Sequence, residues 1–495
     1  MRNCVHLVTY ANRFGGSGLE DLQRVVNGSL KDIFGGVHVL PFFYPVDGVD
    51  AGFDPIDHSA VDPQIGTWDN IAVLSVALDI TADLIVNHIS SKSSQFQDFV
   101  KNGDQSLYSG MFLTFDSIFP NGATEEELLR IYRPRPGLPF TPIPLSNGQK
   151  SLLWTTFTNE QIDLNVRHPQ GEDYWKAILH RFRENGIKTV RLDAVGYAIK
   201  KRGTSCFMIP DTFEFIEELT QYARSLGLEV LVEIHAHYLK QIEIANQVDR
   251  VYDFALPPLI LHAILNKTAR YLKAWLAISP RNAVTVLDTH DGIGVIDIGP
   301  AAEADGSELP GLIPTCELDA LVESIHEKSS GQSRSATGNA ASNLDLYQVN
   351  CTYYDALGRD DRDYLIARAI QFFAPGIPQV YYVGLLAGSN DMELLAKTGV
   401  GRDINRHYYR WEEVQEALVK PVVQDLLTLI RFRNEHPAFQ GTFSILSSTD
   451  ETLMLRWDNA AAWAQLKVEL ADSRIEICYR EDGAEKRLDF KTMSV

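Results

Sequence analysis

Four β-branched runs in this chain end on charged or imidazole side chains. Thr189-Val-Arg-Leu-Asp193 sets Arg191 and Asp193 two residues apart, which in a strand is one face. Val230-Leu-Val leads into Glu233-Ile-His235, Val284-Thr-Val-Leu into Asp288-Thr-His290-Asp291, and Leu84-Ile-Val into Asn87-His88. If these runs are parallel strands of one sheet, their C-terminal ends meet at one mouth, and carboxylates, histidines and an arginine crowd a single cavity. Taken singly each has a plain structural use: Asp193 as a helix N-cap, Glu233 as a partner for a lysine, His88 and His290 as satisfied core histidines. The combination argues for chemistry, because packing carboxylates between apolar walls costs repulsion and desolvation and drives their pKa values apart. Two carboxyl groups so divided suit sugar transfer, one attacking the anomeric carbon and the other, kept protonated, donating to the leaving oxygen.

The elements that would position them recur along the chain. Strands are expected at Val5–Thr9, Val37–Leu40, Leu84–Val86, Thr189–Leu192, Val230–Val232, Val251–Tyr252, Val284–Leu287 and Gln379–Tyr382. Helical spacing between them, as in Glu172–Asn185 and Thr212–Leu226, closes on Gly186 and Gly227 as C-cap signals. This βα alternation predicts an α/β fold, a closed (β/α)8 TIM barrel built from residues 1–88, 168–292 and 356–435. Two gaps break the regular spacing. Residues 89–167, rich in proline and aromatics, read as an inserted subdomain, and residues 293–355 as a second insertion that ends in a mobile Gly/Ala/Ser/Asn-rich loop, Ser335–Asn343. From 436 to 495 helix-sized patterns give way to short strand-like runs, predicting a C-terminal all-β domain.

At these residues the sequence resembles a known family. Asp83-Leu-Ile-Val-Asn87-His88, Arg191-Leu-Asp193-Ala-Val, Glu233-Ile-His235 and Leu287-Asp-Thr-His290-Asp291 are similar, in order and spacing, to the four short sequence regions of the α-amylase superfamily, glycoside hydrolase family 13. Ala51-Gly-Phe53-Asp-Pro-Ile-Asp57-His58, Tyr132-Arg-Pro-Arg135-Pro-Gly, the run His290 to Gly299 and Asp345-Leu-Tyr347-Gln348-Val-Asn350 resemble the branch of that family that phosphorolyses sucrose. The likeness runs from about residue 1 to 440. It implies Asp193 as nucleophile, Glu233 as general acid/base and Asp291 as transition-state stabiliser in a retaining double displacement. It also implies sucrose and inorganic phosphate as substrates, with Asp50, Phe53, His88, Arg191, His290 and Arg402 lining a pocket for one glucosyl unit.

The acceptor side must hold fructose and then a dianion. Arg135, stiffened between Pro134 and Pro136, offers phosphate a forked cation. Tyr197, His235, Tyr347 and Gln348 are its expected partners, and Asp345 suits fructose hydroxyls but repels phosphate. The loop Ala336–Asn343 is therefore expected to rearrange between half-reactions. The absence of Lys or Arg between Arg334 and Arg359 favours unphosphorylated sucrose over sucrose 6′-phosphate. Relatives acting on glucosylglycerate or glucosylglycerol, a hydrolase or transglucosidase, and a non-catalytic barrel are the alternatives.

Composition sets the outer limits. Of 495 residues 45% are hydrophobic and 22% charged, enough for a large packed core in a soluble chain. A net charge of −20, with Lys200-Lys-Arg202 the longest basic run, disfavours nucleic acid and anionic membranes as partners. Five scattered cysteines without CxxC spacing argue against a disulfide framework or a zinc site. The N-terminus lacks an apolar signal region, and the longest apolar stretch, Phe254–Leu265, is too short to span a bilayer, so a cytoplasmic monomer or homodimer is expected. No cofactor and no metal ion is expected: Asn87 sits where many α-amylases hold calcium, but further oxygen ligands are not identifiable.

Overall fold

The structure, a computed structural model, describes residues 1–48, 50–134, 137–302, 307–337 and 348–492. Eight short, mostly buried strands form a closed barrel: β1 (His6–Thr9), β2 (Gly36–Val39), β3 (Asp79–Ile85), β4 (Ile187–Asp193), β5 (Glu229–Val232), β6 (Arg250–Asp253), β7 (Ala283–Thr285) and β8 (Ile377–Tyr381). All neighbours pair in parallel, and β8 closes on β1 with His6 opposite Gln379. Apolar side chains on both faces are what such strands need, because one face fills the barrel and the other packs on helices. Each of the eight expected strands is present. The largest shift is in β3, which starts at Asp79 rather than Leu84, because the polar residues Asp79, Thr81 and Asp83 interrupt its apolar pattern.

The crossover helices follow their end signals. Pro169–Glu184 and Pro210–Ser225 both open on proline at the first helical position, where its missing N–H costs nothing. Gly186 and Gly227, just past their ends, take φ of +81° and +77°, which glycine adopts without strain. The apolar stretch foreseen at Phe254–Leu265 is mostly the buried helix Leu256–Leu265. No helix among the described residues is long and apolar enough to cross a membrane.

Between β3 and β4, His88–Ser90 pairs antiparallel with Gln161–Asp163, and a hairpin joins Phe140–Pro144 to Lys150–Trp154 around a small core of Leu113, Phe119, Ile131 and Trp154. After β7, Ile293–Gly294 pairs with Gln348–Val349. The loop expected from Ser335 onward begins as helix instead: Gln332–Thr337 is helical, with Ala336 and Thr337 buried. Asn350 explains the difference, since its backbone N–H donates to Thr337 Oγ1 at 3.1 Å and its amide to Ala336 O at 3.1 Å. Residues 338–343 of that segment lie outside the described residues. At the C-terminus β9 (Thr442–Ile445), β10 (Thr452–Asn459), β11 (Ala462–Glu469), β12 (Arg474–Glu481) and β13 (Ala484–Leu488) form an antiparallel sheet in chain order. Its Trp457 indole donates to Phe373 O at 2.9 Å, tying the sheet to the helix before β8.

Candidate active site

A polar chain crosses the barrel interior beneath the mouth. Arg191 Nη1 on β4 lies 2.7 Å from Asp83 Oδ1 on β3 and 2.8 Å from Asp193 Oδ1, and His38 Nε2 on β2 lies 2.9 Å from Asp83 Oδ2. Burial alone would push Asp83 up, but His38 and Arg191 hold its carboxyl down, to about 2. Asp193 stands at the upper end of this chain. Burial raises its pKa, Arg191 opposes that rise, and the charges of Glu233 and Asp83 add to it. A second negative charge so close, that of Glu233, therefore favours the protonated form of Asp193.

On the opposite wall Asp291 is buried beside two arginines. Arg402 Nη1 is 2.9 Å from Asp291 Oδ1 and 3.7 Å from Asp50 Oδ2. Arg406 Nη1 is 3.9 Å from Asp50 Oδ1, and its Nη2 is 4.0 Å from Asp291 Oδ1. Burial works against the Asp291 anion, yet the guanidinium groups of Arg402 and Arg406 outweigh it and hold its pKa far below the usual carboxylate range. Phe53 stacks on His290 with ring centroids 4.7 Å apart and 8° between planes. Burial, reinforced by Arg191 and Arg406, lowers His290 to about 3, so it meets a ligand as neutral imidazole. His88 Nε2 is 2.8 Å from Phe53 O and 3.0 Å from Gln161 Nε2, and burial lowers its pKa as well.

Glu233 lies just past β5. The residue after Asp193, Ala194, turns left-handed at φ +53° and points its N–H toward Glu233 Oε2 at 3.4 Å. His235 Nε2 lies 3.7 Å from Glu233 Oε1 and 3.3 Å from Gln348 Nε2. Tyr197 belongs to an aromatic wall with Phe157, Phe207 and Tyr132, its ring 4.6 Å from Phe207 and 5.2 Å from Phe157. Arg135, Asp345 and Tyr347 lie outside the described residues. The other twelve site residues expected from sequence are all described, and they converge on this mouth.

The position at Asn87, weighed for calcium and not assigned to it, is filled by the chain itself. Lys200 Nζ lies 2.9 Å from Asn87 Oδ1 and 2.8 Å from Asp163 Oδ2 and also donates to Tyr197 O. A buried ammonium among those oxygens leaves neither room nor charge for a divalent ion, so the donor set does not fit calcium. Glu233, His235 and Asp291 also bring ligand atoms within 4.8 Å of one another at the barrel mouth.

Chemically, the cavity offers two neighbouring carboxyl groups (Asp193 and Glu233), a fixed anion (Asp291), and hydrogen-bond donors for a polyhydroxyl ligand. Arg406 was missing from the sequence reading. Its Nε donates to His290 O at 2.8 Å, while its buried Nη2 makes no hydrogen bond among the described residues, leaving a donor for a ligand hydroxyl. The four-residue spacing from Arg402 across the short helix Gly401–Asn405 was the available signal.

A closed parallel barrel with these carboxylates past β4, β5 and β7 has the architecture of the α-amylase class of sugar-processing enzymes, and the family model "Alpha amylase, catalytic domain" matches residues 30–255. The chain is 58% identical over 97% of its length to a sucrose phosphorylase of Agrobacterium vitis, covering 98% of that protein. It is 52% identical to a sucrose phosphorylase of Bifidobacterium adolescentis, over 95% of this chain and 92% of that one. The crystal structure of sucrose 6F-phosphate phosphorylase from Thermoanaerobacter thermosaccharolyticum superposes with a TM-score of 0.90 at 39% identity, covering 99% and 98% of the two chains. The chain belongs to the sucrose phosphorylase family within glycoside hydrolase family 13.

Proposed function

We propose that this chain phosphorolyses sucrose reversibly to α-D-glucose 1-phosphate and fructose with retention of configuration. The observation that carries the reading is 58% identity to a sucrose phosphorylase over nearly the whole chain. The paired carboxylates at the strand ends support the same chemistry. Asp193 attacks the anomeric carbon while Glu233 protonates the departing fructose oxygen, and a β-glucosyl ester forms. Phosphate then attacks from the vacated side with Glu233 as base, and net retention follows from two inversions. Asp291, with the adjacent Arg402 and Arg406, grips ring hydroxyls more strongly as oxocarbenium character develops. Phe53 gives the ring an apolar platform, with Asp50, His88, Arg191 and His290 around it. Arg135, Tyr197, His235, Asp345, Tyr347 and Gln348 form the acceptor side.

A glucosylglycerol phosphorylase of Marinobacter adhaerens and a sucrose 6(F)-phosphate phosphorylase are each 40% identical to this chain, well below the 58% of the sucrose phosphorylase, which favours unphosphorylated sucrose. The five cysteines are free thiols, which suits a reducing compartment, and we assign the chain to the cytoplasm.

The test is incubation of purified protein with sucrose and phosphate. Glucose 1-phosphate is expected from the wild type and not from Asp193→Asn, and the 6′-phosphorylated sugar and glucosylglycerol should react more slowly. No glucose 1-phosphate from the wild type overturns the reading. Equal sucrose consumption without phosphate would make the enzyme a hydrolase.

A further inference from the structure

Behind the acceptor side lies a buried carboxylate that takes no part in the displacement described above. Asp297 sits in the helical turn Ile296–Ile298 after β7, fully buried, with Oδ2 3.0 Å from His235 Nδ1. Its Oδ1 accepts from Ala236 N at 3.2 Å and from Gln241 Nε2 at 2.9 Å, so the carboxylate is fixed from two other elements. His235 is clamped as well, its ring stacked on Phe254 at 3.9 Å between centroids and 18° between planes. With Nδ1 committed to Asp297, the imidazole turns Nε2 toward Glu233 Oε1, 3.7 Å away, and toward the side-chain amide of Gln348, 3.3 Å away.

We infer that Asp297 is a positioning residue for the phosphate half-reaction: it holds His235 with Nδ1–H on the carboxylate, so that Nε2 faces the incoming phosphate beside Glu233 and carries a proton when that anion arrives. This rests on the phosphorylase reading above. After fructose leaves, Glu233 is a carboxylate, and a phosphate dianion approaching it meets like charge. An imidazolium between them offsets that repulsion, and a buried carboxylate on its far nitrogen is what keeps an imidazole charged. Among the described residues the charges that raise His235 are all carboxylates: Asp297 from the turn after β7, Glu233 from its own strand end and Asp291 from the loop before that turn, while Asp253 at the end of β6 is itself raised by burial, and the Asp297 charge adds to that rise. Burial opposes the charged ring, but these carboxylates prevail and the His235 pKa is raised. Gln348, whose Oε1 accepts from Gly292 N at 3.3 Å, contributes no charge. The sucrose half-reaction does not need this cation, because fructose is neutral.

The decisive variant is Asp297→Asn, which keeps the volume and removes the charge. The expected result is a rise of about tenfold or more in KM for phosphate, with KM for sucrose and the rate of the first fructose burst within about twofold of wild type. Because the raised pKa keeps His235 charged to higher pH, removing its cause lets the ring lose its proton sooner. The alkaline limb of kcat/KM for phosphate therefore moves down by about one pH unit or more, the shift an adjacent charge gives. Equal loss on sucrose and phosphate, or unchanged phosphate kinetics, overturns the inference. The phosphorylase reading itself fails only if the wild type makes no glucose 1-phosphate. Should Asp297→Asn not fold, ¹⁵N-histidine NMR of the wild type decides, with His235 assigned by difference against His235→Gln. His235 protonated on both nitrogens at pH 7 supports the inference, and a neutral ring at that pH overturns it.

Discussion

Replacing Arg191 with methionine should disable Asp193, the proposed nucleophile, without altering that residue. Arg191 is the only cation bonded to Asp193 among the described residues, at 2.8 Å, and the same Nη1 serves Asp83 at 2.7 Å. A neighbouring cation lowers a carboxylate by about 1–3 pKa units, and each unit is worth about 1.4 kcal/mol. Removing it should therefore cost ~1.4–4 kcal/mol of the ionised nucleophile, or about 10- to 1000-fold in kcat/KM for sucrose near pH 7. The sign is fixed by direction: Asp193 is already raised by burial, and without Arg191 it ionises only at still higher pH. The acid limb of the sucrose profile should shift upward by about 1–3 pH units, so activity recovers partly in alkali. Glucose 1-phosphate release across a pH series is the assay. Loss of the buried Asp83 partner should also cost about 3–5 kcal/mol of stability, and a second change, Asp83→Asn, should restore part of that stability but not the rate. An Arg191→Met protein that is folded, within threefold of wild type and unshifted in pH would refute the reasoning.

Two further outcomes follow from the geometry. Arg406→Lys keeps a positive charge but cannot reach His290 O, Asp50 and Asp291 at once, so kcat/KM for sucrose should fall about 10- to 100-fold, the worth of one charged hydrogen bond of ~1.5–3 kcal/mol, with the thermal midpoint little changed. Lys200→Met should leave the buried Asp163 carboxylate held only by Thr156, costing about 3–5 kcal/mol. At ~2 cal/mol/K per residue over 495 residues that is a drop of about 3–5 °C in the thermal midpoint, read by calorimetry.

The barrel and the upper parts of its site were legible because they rest on local pattern. Apolar runs ending on Asp193, Glu233 and Asp291 declare both the strand and what stands at its end. β3 was only half visible, since Asp83 breaks the apolar run, and what makes a buried aspartate tolerable there is Arg191 from 108 residues away. Arg406 escaped for a similar reason: its one local signal, the four-residue spacing from Arg402, does not say that the fold sets it against Asp291 and Asp50. Lys200 entered the sequence reading only as part of the longest basic run, whereas its ammonium is buried on Asn87 and Asp163, and no one-dimensional signal marks that position. The acceptor side was assembled mostly from the resemblance. Of its six residues, Arg135, Asp345 and Tyr347 lie outside the described residues, and Asp297, which grips His235, gave no sign beyond an aspartate between two isoleucines.

The ammonium of Lys200 changes what the surroundings can do to this protein. A bound ion stabilises the folded state by an amount that grows with its free concentration, so a fold that depends on one is coupled to whatever the medium supplies. Here the counter-charge for Asp163 is part of the chain and cannot be diluted, exchanged or competed away. Folding and the positive charge arrive together at a fixed one-to-one ratio, so the carboxylate at this junction has its counter-charge whatever the medium supplies.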